Sequence, residues 1–109
     1  SGASHHSYKG WGGYSLSKST LKMLMDVYSK DKNDSHFISV APGLVDTSMQ
    51  DYLCSEVDSK IFPVINKFIE ARKNGSMQTP DDIAETMFRM IPEFKTLING
   101  SYIDLRDVK

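Results

Sequence analysis

The chain contains one cysteine, Cys54, so no internal disulfide can form and a reducing cytoplasm is its natural setting. No apolar run reaches the length of a membrane span, and neither a span nor a signal peptide is expected. Charge of one sign is missing too. The 13 Lys and Arg residues are interspersed with 14 Asp and Glu for a net charge of −1, which excludes the basic face that nucleic acid or an anionic membrane would need. His5 and His6 are adjacent, so they point apart, and no third ligand has a useful spacing; no metal site is expected. Repeats and low-complexity tracts are absent. The chain also begins SGAS, without an initiator methionine, as a processed or truncated piece would.

What is present is ordinary globular material. The 109 residues, 39% apolar and 25% charged, suit one small domain or part of a larger one, with a modest core. Over 12–32, Leu16, Thr20, Leu24, Val27 and Tyr28 recur at helical spacing. Leu21 and Met25 widen that stripe, which predicts a helix packed on two sides. The charge-rich run SKDKNDS at 29–35 reads as a solvated loop. HFISVAP at 36–42 predicts a buried strand stopped by Pro42-Gly43, with His36 structural.

Residues 44–58 show no clean period. Phe62, Ile65, Phe68 and Ile69 predict a helix within 59–73, closed by Asn74-Gly75, with Pro63 as an alternative first turn. Thr79, Pro80 and Asp82 have the order of an N-cap, a first helical residue and a capping-box acid. The helix they open buries Ile83, Met87, Met90 and Ile91 and is stopped by Pro92. A last strand follows, alternating Tyr102, Asp104 and Arg106 against Ile103 and Leu105. Strands separated by helices predict parallel pairing in an α/β layer, but two strands are too few for an independent doubly wound sheet. The pattern reads as half of something larger.

One constellation could do chemistry. In GWGGYSLSK, at 10–18, Tyr14 and Lys18 lie one turn apart on the same side of the first helix. A free phenol titrates near about 10, and an ammonium beside it favours the phenolate, which is the tuning a general acid needs. Ser1 could hydrogen-bond a substrate carbonyl and hold it against the tyrosine hydroxyl. Tyr28, Lys32 and Ser15 repeat the spacing, so geometry must separate the two sets. Ligands of α/β folds sit at the C-terminal ends of the parallel strands. A helix leading into the strand at 36–42 begins near that edge, and Tyr28 falls about 21 Å away, at the wrong one. Pro42-Gly43 ends the strand where backbone groups face a ligand, and Thr47 can donate a hydroxyl to a phosphate.

The stretches GWGGYSLSK, APGLVDTSM, TPDDIAE and GSYIDL, in that order, resemble the C-terminal half of a short-chain dehydrogenase/reductase. KGWGGYSLSK, APGLVDTSMQ and NGSYIDLRDV are most similar to the sepiapterin reductase and benzil reductase group. The resemblance runs nearly the whole chain and is weakest from 51 to 76. It implies the C-terminal portion of a Rossmann-type doubly wound parallel sheet, an α/β fold lacking the N-terminal dinucleotide-binding half, as a single partial domain over 1–109. It further implies an oxidoreductase in which Tyr14 is the proton donor, Lys18 lowers its pKa and binds the nicotinamide ribose, and Ser1 orients the carbonyl. Pro42, Gly43 and Val45 would line the nicotinamide and Thr47 would approach the pyrophosphate. Trp11, Met49 and Asp104 are the candidate substrate residues, Trp11 either walling the site or capping the core. The segment 51–76 would be a substrate lid, with Phe62 and Phe68 closing over an apolar substrate, the alternative being a plain surface helix.

The family's glycine-rich pyrophosphate loop and its NAD-or-NADP selecting residue do not occur in these 109 residues. The expectation is therefore an inactive fragment of a reductase that prefers NADP(H) to NAD(H) and acts on a small ketone or diketone. A homodimer through the 12–32 helix is also expected. The competing reading is a non-catalytic, self-associating module of the same descent. Met23, Met25, Met87 and Met90 read as core, and Cys54 as inert.

Overall fold

The computed structural model describes residues 1–32 and 34–108. Asn33, within the predicted loop at 29–35, lies outside the described residues. A short 3-10 turn at Gly2–Ser4 precedes α1 (Gly12–Asp31), β1 (Ser39–Ala41), α2 (Ser48–Ser55), α3 (Ile65–Lys73), α4 (Pro80–Phe94) and β2 (Tyr102–Asp104), and a second 3-10 turn, Leu105–Asp107, follows. β1 and β2 pair in parallel, with Ser39 opposite Tyr102, Val40 opposite Ile103 and Ala41 opposite Asp104. The α/β order and the parallel pairing expected from the sequence are both present.

Several local expectations are corrected. The strand predicted over 36–42 is ordered as strand only at Ser39–Ala41. The helix in 59–73 starts at Ile65, because the chain through Pro63 is wound in separate turns first. It closes as expected, with Asn74 as C-cap and Gly75 at φ +74°. Residues without a clean period include a helix, α2. Thr79 caps α4 by accepting from the Asp82 amide at 3.2 Å, with Pro80 first in the helix. Pro92 does not stop α4, which runs on to Phe94. A proline this close to a helix end removes one backbone bond, and the Lys95 amide still closes the turn on the Ile91 carbonyl at 3.2 Å. Ile91 is exposed while Ile83 and Met90 are buried.

The largest correction concerns α1, which buries no residue at all. Its half-buried side is largely polar, including Ser15, Lys18, Ser19, Lys22, Asp26 and Ser29, while Leu16, Leu21, Met23, Leu24, Val27 and Tyr28 face outward. The helix is held by polar contacts instead. Ser19 donates to the Ser4 carbonyl at 2.9 Å. At the other end the Asn99 amide donates to the carbonyls of Ser29 and Ser35, both at 3.1 Å, and accepts from the Phe37 amide at 2.7 Å. Gly100, at φ +91°, completes this clamp, since a Cβ there would stand 2.6 Å from the Ser29 hydroxyl. Gly100 and Ser39 then bond to Phe37 and Ser101 and start the β1–β2 pairing.

The core is thin. Its buried apolar members are mostly small or single side chains from separate elements, and Ile65 is the large one with no exposure. Arg72 of α3 ties that helix to the β1–α2 connection and to α2 by donating to Asp46 at 2.5 Å and Asp51 at 2.6 Å. Asn99→Ala is expected to lower stability by about 1–3 kcal/mol, because it orphans the Phe37 amide and two carbonyls. Asn99→Asp, which keeps the acceptor but not the donors, should fall between. Urea midpoints measure both, and a midpoint unmoved by Asn99→Ala would remove the clamp from the account.

Candidate active site

The C-terminal end of β1 opens into a cleft of about 380 Å³. It is built by the first 3-10 turn and the chain after it, the start of α1, the chain after β1, the start of α2, one side of α3 and the second 3-10 turn. Of the residues singled out in the sequence, Ser1, Trp11, Tyr14, Pro42, Gly43, Val45, Thr47 and Met49 line it. Lys18 and Asp104 do not. Tyr28 lies at the other end of α1, with its ring 5.6 Å from that of Phe37, just ahead of β1. The edge argument therefore separates the two Tyr-Lys pairs in space.

Local chemistry explains how each group is held. The Ser1 hydroxyl accepts from the Ala3 amide at 3.3 Å and caps the first 3-10 turn. Trp11 is the N-cap of α1 without a side-chain capping bond, and its indole is wedged among rings, 5.3 Å from Tyr14 and 5.7 Å from Phe68. The Lys18 ammonium stands over the Tyr14 ring, 5.4 Å from its centroid, within the range of a cation–π contact. Gly43 has φ +86°, a conformation that favours glycine. Val45 bridges in parallel to Gln78, which fixes the chain between β1 and α2. Thr47 is the N-cap of α2 but makes no capping bond through its hydroxyl, which is left available to a ligand.

A second cavity, about 350 Å³, shares Trp11, Tyr14 and Met49 with the first and is otherwise walled by Gly10, Leu53, Val57, Phe62 and Ile65. No charged side chain lines it among the described residues. Gly10, at φ +83°, lets the Phe62 ring pack on the backbone; a Cβ there would meet the ring's Cε1 at less than any normal contact. Tyr14 thus borders both a cleft that holds Lys67 and Arg106 and a chamber that no charged side chain lines among the described residues.

Three residues at the cleft carry no strong sequence signal. Gln50 is 6% exposed, lines the cleft, and its Oε1 has no partner among the described residues. Lys67 enters from α3, on a stretch of ambiguous period. Arg106 also lines the cleft, and Asp104 grips it: Nε donates to Oδ1 at 2.9 Å and Nη2 to Oδ2 at 2.5 Å, while the Arg106 amide donates to Oδ1 at 3.0 Å. The alternation Tyr102, Asp104, Arg106 could have flagged that pair. His6 lines the cleft, whereas His5 packs edge-on against Tyr102 at 4.5 Å. No cluster of metal-ligating side chains occurs among the described residues.

No family model matches the chain. Individual proteins do. It is 33% identical over 111 residues to the (S)-benzoin-forming benzil reductase of Bacillus subtilis, a match covering 98% of this chain and 44% of that protein. Against the (S)-benzoin-forming benzil reductase of Saccharomyces cerevisiae it is 30% identical, covering 98% of this chain and 43% of the relative. The sepiapterin reductase of Xenopus laevis is 25% identical, with 92% and 37% covered. Among solved structures the KRED1-Pglu enzyme superposes with a TM-score of 0.81 at 26% identity, over 94% of this chain and 44% of that one. The chain spans less than half the length of these relatives. In sequence and fold it is a homologue of the C-terminal part of short-chain dehydrogenase/reductases.

Hydrogen bonds from the Arg106 side chain hold the Asp104 carboxyl below its ordinary range, with the Arg106 amide and charge adding to them and burial opposing. A folded-state pKa below the unfolded one means that the pair's contribution is fully present above the usual carboxylate range. It is lost as pH falls through that range toward the lower folded value. Asp104→Asn is therefore expected to remove part of the stability loss that the wild-type chain shows on acidification below about pH 4. Urea midpoints of both proteins at descending pH test this; parallel curves would speak against the pair.

Proposed function

We propose that this chain supplies the proton donor, the carbonyl-orienting serine and part of the nicotinamide site of an NADP(H)-dependent carbonyl reductase acting on ketones or diketones. One observation carries the reading: Ser1, Tyr14, Pro42, Gly43, Val45 and Thr47 surround a single cleft at the C-terminal end of a parallel strand. The relatives' names, benzil reductase and sepiapterin reductase, support carbonyl reduction as the reaction class.

The residues present fit a nicotinamide dinucleotide. No Asp or Glu lines the cleft among the described residues, Gly43 offers backbone without a side chain, and the Thr47 hydroxyl is uncommitted. Pro42, Gly43 and Val45 would hold the nicotinamide end and Thr47 a phosphate, while Lys18 would reach the ribose. When bound, such a cofactor supplies hydride. The chain's own part is to orient the substrate oxygen with the Ser1 hydroxyl and deliver a proton to it from the Tyr14 hydroxyl. Lys18 stands over the Tyr14 ring and fixes its place beside the cleft. The turns and helices of 51–76 act as the lid over the apolar chamber. Since the chain covers under half of its relatives, we infer that it is inactive by itself and that a reducing cytoplasm, suited to the lone Cys54, is its setting.

NADPH fluorescence titration of the 109-residue chain tests the cofactor part. Saturable binding that weakens at least about tenfold in Lys18→Ala is the expected result. Binding indifferent to Lys18 would overturn the assignment.

Self-association is the second reading, and the outward apolar stripe of α1 favours it. Leu16 is 70% exposed and Met23 61%, with Val27 beside them and Leu21 farther round the helix. A homodimer that packs this helix against its mate would cover the stripe. Leu16→Lys and Met23→Lys are expected to convert dimer to monomer in sedimentation velocity while leaving the melting temperature close to wild type. A wild-type chain that is monomeric at all concentrations would end this reading.

A further inference from the structure

Gln50 is the one polar side chain among the buried residues described, at 6% exposure, and the proposed reduction gives it no task. Its Oε1 is closed to bulk water and accepts from no described residue, and its Nε2 donates to none. An acceptor buried without a donor costs its full desolvation, so such groups are normally paired. The residue nevertheless lines the cleft. Lys67 and Arg106 line it as well, and neither donates to this oxygen. The packing inside the chain therefore leaves the carboxamide without a partner at the wall of the site.

The backbone that carries it is fixed on three sides. The Gln50 amide donates to the Thr47 carbonyl at 2.9 Å. Asp51, the next residue, accepts from Arg72 of α3 at 2.6 Å. The bridge of Val45 to Gln78 holds the chain that leads into α2. The last torsion of a glutamine side chain is soft, so the carboxamide can turn its oxygen toward the cleft from a fixed root. A carboxamide carries an acceptor and two N–H donors side by side. Its match is another amide edge, an N–H beside an acceptor, as when glutamine pairs with the edge of adenine. No Asp or Glu lines the cleft among the described residues to take the Nε2 hydrogens first.

We propose that Gln50 is a ligand-binding residue of this cleft, which takes an amide edge of the bound molecule through both ends of its carboxamide. That edge belongs to the nicotinamide carboxamide of a cofactor or to a cyclic secondary amide in the substrate; the chemistry is the same. The inference rests on reading the cleft as the ligand site. A ligand with acceptors alone leaves the Gln50 oxygen without a donor, and a site of this kind rejects the analogue that lacks the N–H. The role also has a signature in the free protein. A side chain kept for binding is unpaired there, so an apolar residue of equal length fits the same space at no loss of stability.

Two matched pairs of probes test the inference on the 109-residue chain by calorimetry, with ligand-observed NMR as the check. Nicotinamide is set against its methyl ketone analogue, acetylpyridine, in which a methyl replaces the amide nitrogen. Oxindole is set against the matching indanone, in which a methylene replaces the N–H. The amide of at least one pair is expected to bind about fivefold or more tightly than its ketone. Preference in the first pair assigns Gln50 to the cofactor, and preference in the second assigns it to the substrate. Gln50→Met, of similar length without a strong donor or acceptor, should erase the preference, leave the ketones unmoved, and keep or raise the urea midpoint. A residue that only holds α2 in place would instead lower the midpoint and weaken all four probes together. No preference in either pair, no binding of any probe, a ratio unchanged in Gln50→Met, or a fall in that variant's midpoint would overturn the inference. Saturable NADPH binding alongside any of these results would leave the cofactor reading standing, so the two failures are separable.

Discussion

The parallel register of β1 and β2 is the constraint on which the site depends. With Ala41 opposite Asp104, the residues that follow each strand, Pro42-Gly43 and Leu105-Arg106, emerge side by side. That adjacency lets the Arg106 stem cross Gly43 and lets Asp104 grip the guanidinium. A slip of one residue would reverse which face every strand side chain occupies and dissolve both contacts. Three-residue strands cannot hold such a register unaided. The Asn99 clamp sets it at one end, and at the other the Val45–Gln78 bridge fixes the continuation of β1. Polar contacts outside the sheet thus decide the geometry inside it.

A second consequence concerns where the stability comes from. α1 is the longest helix, yet its apolar stripe faces outward and its inner side is mostly hydroxyls, lysines and one aspartate. Hydrophobic burial, which usually dominates helix docking, contributes little at this interface. Hydrogen bonds from Ser19 and Asn99 hold the helix, each worth only about 0.5–1.5 kcal/mol net. The stripe is therefore a surface whose burial would contribute far more than the contacts that now hold the helix, which is the physical ground of the proposed self-association.

How much of this was legible follows the same division. Periodicity found α1 and α4 and capping chemistry found the start of α4, because those signals are local. The parallel α/β order was legible from strands separated by helices. Periodicity could not say which side of α1 is covered, since an apolar stripe marks the side that prefers burial and not the side that obtains it. Pro92 misled for a related reason: its cost depends on how many backbone bonds lie beyond it, and here few do. Most of the cleft residues were legible because they sit at strand ends and helix starts. Gln50 was not, since its place in the cleft depends on elements distant in sequence, and the alternation that pairs Arg106 with Asp104 did not say that Arg106 would cross Gly43.

The two tyrosines show what the structure adds. Tyr14 and Tyr28 share one helix and one motif, and no local property of the sequence ranks them. Position along α1 does. The helix runs from the cleft to the Asn99 clamp, so Tyr14 lines the cleft together with Pro42-Gly43 and Tyr28 stands against Phe37, just ahead of β1. The glycines reinforce the difference. Gly10 and Gly43 take backbone angles that favour glycine, and each brings a distant side chain, Phe62 or Arg106, against the walls of the cavities that meet at Tyr14. A phenol shared by two cavities, with a cation over its ring, is set apart from its copy by what the rest of the chain brings to it.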